Sequence, residues 1–103
     1  MREYVVRATD SGVPRISLAE KYYSEAEDHQ GFDDWVIVYD FEGKPNPRFW
    51  ENMHRLLLIE PGSRFLQYSV FAAGSRRVAR AAVILVRHYR GAVEAFRVEQ
   101  DEP

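Results

Sequence analysis

The run Trp35-Val36-Ile37-Val38-Tyr39-Asp40 constrains what this chain can become more than any other stretch. Apolar residues occupy both alternating positions, and β-branched and aromatic types dominate, as in a central strand covered on both faces. The run ends on a carboxylate and passes through Phe41-Glu42-Gly43-Lys44-Pro45 into Asn46-Pro47. Asn46 suits a helix N-cap and Pro47 its first position. A strand of this kind cannot belong to an isolated hairpin. It needs helices on one face and a further apolar layer on the other.

The residues downstream supply candidates for both layers. Phe49, Met53, Leu56 and Leu57 share one face at helical spacing, Trp50 flanks them, and Arg48, Glu51 and Arg55 face away. Glu60-Pro61-Gly62 ends that helix. Residues 64–72 alternate as Leu66, Tyr68 and Val70 against Phe65, Gln67, Ser69 and Phe71, which predicts a strand with one face for helices and the other for a second sheet. Ser75 caps a helix predicted over 75–90, with Val78, Ala82, Leu85 and Tyr89 as its buried stripe; Gly91 stops it, and residues 92–99 form a closing strand.

The order from Trp35 onward is β-α-β-α-β, an α+β sandwich. Residues 63–74 are short for two strands, so a bend near Ser69 or a strand elsewhere must complete the sheet. Upstream, residues 3–8 read as a short strand, 11–14 as a turn, and 16–28 as a helix capped at Ser17. The chain divides into an N-terminal extension, 1–33, and a main domain, 34–103.

Charge is distributed unevenly along that pattern. Residues 1–43 carry a net −6, residues 44–92 a net +7 and the remainder −3, and eight of the nine central bases are arginine: Arg48, Arg55, Arg64, Arg76, Arg77, Arg80, Arg87 and Arg90. Arginine is suited to bidentate phosphate contacts, so these eight are the candidate phosphate-contacting residues. At 100° per residue, Arg76, Arg80, Arg87 and Arg90 fall opposite the buried stripe of the second helix.

Other chemistries are quickly narrowed. The absence of cysteine excludes disulfides, thiolate metal sites and a cysteine nucleophile. His29, His54 and His88 lack zinc-ligand spacing, Ser69 has no nucleophile-elbow motif around it, and the glycines form no phosphate-binding loop. Trp35, Trp50, Phe65, Tyr68 and Phe71 suit either core packing or base stacking. No apolar run is long enough for a membrane span, and no signal-peptide pattern opens the chain, so a cytoplasmic location is expected.

Val36-Ile37-Val38-Tyr39-Asp40-Phe41, then a helix, then Gln67-Tyr68-Ser69-Val70-Phe71, then a helix and a closing strand, resembles the CRISPR-associated protein 2 family over residues 34–99. The ending Ala95-Phe96-Arg97-Val98-Glu99-Gln100 is similar, more weakly, to virulence-associated protein D, a small ribonuclease toxin. The resemblance implies a ferredoxin-like β-α-β-(β)-α-β sandwich with an antiparallel sheet and two helices on one face. It further implies a homodimer packed sheet against sheet, DNA or RNA as partner, an integrase as protein partner, and a role in antiviral defence as a scaffold of spacer acquisition.

Asp40 matches the family's strand-end aspartate near the dimer axis. The resemblance makes it the candidate catalytic residue and the metal ligand of a magnesium-dependent endonuclease or endoribonuclease, with Mn2+ as substitute and Tyr39, Ser69 and Phe71 as neighbours. Two symmetry-related copies would bring the two carboxylates together. The competing readings are an aspartate that caps the turn after its strand, and a ferredoxin-like regulatory module whose arginines merely keep the helices solvated.

Overall fold

In a computed structural model, residues 17–31 and 33–99 are described, and the strand and turn expected at 3–8 and 11–14 lie outside them. The elements are α1 (Leu18–Glu25), β1 (Trp35–Asp40), α2 (Pro47–Ile59), β2 (Arg64–Gln67), β3 (Val70–Ala73), α3 (Arg76–His88) and β4 (Ala92–Arg97). The strands form one antiparallel sheet in the order β2-β3-β1-β4. From β1 onward this is β-α-β-β-α-β, the ferredoxin-like α+β arrangement.

Strand β1 lies centrally because it pairs on both edges, Val36 opposite Ala72 of β3 and Phe96 of β4. Its alternation divides the sheet: Ile37 and Tyr39 are buried on the helix side, while Val38 and Asp40 face outward. Phe49, Met53 and Leu56 of α2 and Val78, Ala82 and Leu85 of α3 complete the core with Phe71. Burying side chains of this size contributes about 1.5–3 kcal/mol each.

The expected single strand at 64–72 is instead two strands joined at Tyr68-Ser69. The turn fits because the register slips between Phe65 and Gln67, and none of the turn residues takes a positive φ, so no glycine is required. Tyr39 fastens it: its amide donates to the Ser69 carbonyl at 3.0 Å and its phenol to the Tyr68 carbonyl at 3.0 Å. The bend expected near Ser69 is therefore the missing strand connection.

The second expected helix also ends earlier, at His88. Arg90 takes the left-handed conformation, φ 67°, its amide donating to the Arg87 carbonyl and that of Gly91 to Val86. That is a Schellman stop, usually made with glycine at the left-handed position. Gly91 serves a different need, since a Cβ there would come within 2.7 Å of Phe41 and Val86.

The helix expected over 16–28 is present as α1, capped at Ser17 as expected but shorter, ending at Glu25. Ser17 and Glu20 form the reciprocal capping box of α1, which packs on α2 and α3. The Ala19 amide donates to Asn52 Oδ1 at 2.9 Å, the Tyr22 hydroxyl bonds His88 Nδ1 at 2.9 Å, and the Tyr23 hydroxyl donates to Glu60. Burial, then the neighbouring Glu60 carboxylate, pushes the Tyr23 phenol above its ordinary pKa. Ala81, on the same side of α3 as Arg77 and His88, is buried beyond the expected stripe by this packing, whereas Ala79 faces Trp35 and Ala95.

Candidate nucleic-acid interface

The eight candidate arginines do not form one surface. Arg76, Arg80 and Arg87 line a groove between α3 and the edge strand β4, with His29, Trp35 and Ala95. All three are exposed, and among the described residues no carboxylate lies within ion-pair distance of them. Trp35 Nε1 and His29 Nδ1 are buried atoms without hydrogen-bond partners on the same groove. Three guanidinium groups give the groove a strong surplus of donors, which suits an anion with several oxygen acceptors.

The remaining arginines have other settings. Arg77 is engaged with α1: its Nε donates to the Tyr23 carbonyl at 2.8 Å and its guanidinium lies 4.0 Å from the Tyr23 ring centroid. Arg48 and Arg55 line a second groove, where Glu51 partly offsets them. Arg64, opposite Ala72, belongs to the outward face of the sheet, and Arg90 lies beyond the end of α3 rather than on the expected four-arginine face.

Asp40 shares a shallow pocket with Tyr39, Ser69, Phe41, Trp50 and Tyr68. Phe71, expected beside it, is instead fully buried in the core opposite Ile37. Asp40 is exposed, and its carboxylate accepts no hydrogen bond among the described residues, so it does not cap the turn that follows. On the same outward face, Glu94 stands opposite Val38, diagonal to Asp40 across the β1–β4 ladder. Among the described residues no group of three histidine or acidic side chains could hold a metal. Asp40, with or without Glu94, therefore fits only a water-retaining Mg2+ that draws further oxygens from a second copy or a substrate phosphate.

Burial pushes the Tyr39 phenol up to about 12. An unfolded tyrosine ionises near pH 10, so the neutral phenol contributes its stability in full below about pH 10 and loses it as pH rises through about 12. That rise corresponds to roughly 3 kcal/mol. Denaturant unfolding of wild type should weaken by up to that amount between pH 10 and 12, whereas Tyr39→Phe should show a shallower alkaline loss from a baseline lowered by about 1 kcal/mol. Parallel pH profiles for the two proteins would contradict this.

The arginine positions on α3 are readable from a helical wheel, but Trp35 and His29 in the same groove are not. Trp35 sits in a strand that reads as core throughout, and His29 arrives through the turn after α1. No family model, curated protein or solved structure matches the chain. Among the described residues no helix is long and apolar enough to cross a membrane.

Proposed function

We propose that the chain is a nucleic-acid-binding subunit that works as a homodimer, comparable to the DNA scaffold of spacer acquisition that its sequence resembles. The observation that carries this reading is the arginine groove of α3, which Arg76, Arg80 and Arg87 line without carboxylate partners among the described residues. The outward sheet face supports the dimer: Val38 is 39% exposed and Phe96 52%, on a face with Val36, Val70 and Ala72 but no covering layer among the described residues. Two copies joined there would present two arginine grooves to one duplex.

A second reading rests on Asp40, whose outward carboxylate, without a partner among the described residues, suits a metal ligand better than a turn cap. In that reading the dimer is a magnesium-dependent nuclease; the ion would lower the pKa of bound water and offset charge on the scissile phosphate. Wild type and Asp40→Ala should be compared for duplex binding against salt and for cleavage of labelled RNA and DNA with Mg2+ or Mn2+. The scaffold reading expects equal, salt-sensitive duplex binding by both and cleavage by neither. Cleavage by wild type alone, with binding retained by both, would establish the nuclease. No duplex binding at physiological salt would leave the regulatory module.

A further inference from the structure

The turn between β2 and β3 presents a feature that neither core packing nor the arginine groove uses. Tyr68 is 80% exposed, yet its ring lies nearly parallel to that of Trp50, 26° between planes and 5.1 Å between centroids. Trp50 is backed by Phe49, Tyr39 and Phe65 at 5.1, 6.3 and 5.8 Å. Tyr39 holds the backbone of the turn through its bonds to the Tyr68 and Ser69 carbonyls. The exposed aromatic is thus presented on a fixed support. A tyrosine placed there for folding alone would bury more of its ring.

We propose that the Tyr68–Trp50 pair is a docking platform for an unpaired nucleobase of a single strand, or of the frayed end of a duplex. The proposal rests on the nucleic-acid-binding reading above and adds a base-contacting site distinct from the arginine groove. A base is planar and apolar on its faces and polar at its edge. The groove at the platform has the same division, with Trp50, Phe65 and Tyr68 offering ring surface while Gln67 and His54 offer an amide and an imidazole.

Of the neighbouring bases, the exposed Arg64 directly precedes Phe65 on β2, whereas Arg48 and Arg55 line the separate groove with Glu51. Trp50 and Tyr68 also border the pocket that contains Asp40. A base held on the platform therefore places an adjacent phosphate on the side of the molecule where the second reading puts its chemistry. An extended peptide added to the edge strand β2 is the rival occupant, and it would not require a base.

The test uses the full chain and a short single-stranded oligonucleotide carrying one 2-aminopurine among abasic positions, alongside a fully abasic strand of the same length. Tryptophan and 2-aminopurine fluorescence are both followed. Wild type should bind the base-bearing strand more tightly, with 2-aminopurine quenched. Tyr68→Ala should bind that strand about 5- to 150-fold more weakly and lose the quenching, while Tyr68→Phe keeps both. Equal affinity of wild type for the two strands, or binding unchanged in Tyr68→Ala, would overturn the platform while leaving the nucleic-acid reading intact. No binding of either strand, or of duplex, at low salt would overturn both.

Discussion

Replacing Arg76, Arg80 and Arg87 together by alanine is expected to weaken duplex binding on the order of 10²- to 10³-fold at about 0.1 M salt, with the loss vanishing near 1 M. Each phosphate contact releases counterions and contributes about 0.9 to the slope of log affinity against log salt, so three lost contacts should lower that slope by about 2.7 per protomer. The side chains are exposed, and alanine is the strongest helix former, so α3 should survive the change. Arg76 in the first turn also opposes the helix dipole, and its removal there is mildly favourable. Arg77→Ala is the contrasting control. It removes a hydrogen bond and a cation–π contact to Tyr23 and should loosen α1 with a much smaller change in salt slope. Fluorescence anisotropy over a salt series checks both. Identical slopes for wild type and the triple variant would remove the groove from the interface.

Much of the fold was legible because local and tertiary requirements coincide. The central position of the β1 run, the Asn46-Pro47 opening of α2, the Ser17 and Ser75 caps and the closing strand each follow signals that the structure uses as expected, while the outward face of β1 has no covering layer among the described residues. The β2–β3 turn was legible only as a bend near Ser69, because Tyr68-Ser69 contains no glycine, proline, asparagine or aspartate and the bulge between Phe65 and Gln67 keeps Phe65 and Phe71 on one face, as in a single strand. At the end of α3, Gly91 drew the stop two residues too late, since its missing Cβ answers to Phe41 and Val86 rather than to backbone conformation.

The candidate site was legible in the same uneven way. Helical spacing placed Arg76, Arg80 and Arg87 together, whereas the engagement of Arg77 with Tyr23 depends on how α1 packs on α3. The burial of Phe71, away from Asp40, follows from the same turn: with the chain reversed at Tyr68-Ser69, Phe71 comes to lie opposite Ile37 on the helix side. No pattern along one strand could report that reversal.

The outward face of that sheet gives the other large effect. Val38→Lys is expected to convert the proposed dimer to monomer at micromolar concentration while leaving the fold intact. In a single chain the new ammonium stays in water beside Glu94, its cross-strand partner, so the change should cost less than about 1 kcal/mol. In a sheet-on-sheet dimer it would be pressed against the apolar face of the second copy. Even beside Glu94, the added ammonium would have to be desolvated between the copies at an effective cost of several kcal/mol, a weakening of association by more than about 10²-fold. Sedimentation across a concentration series, with circular dichroism to confirm the fold, separates the two effects. If the variant remains as dimeric as wild type, the dimer does not use this face. If it becomes monomeric and duplex binding falls with it, although every arginine is retained, the two grooves act on one duplex through their linkage, as bivalent binding requires.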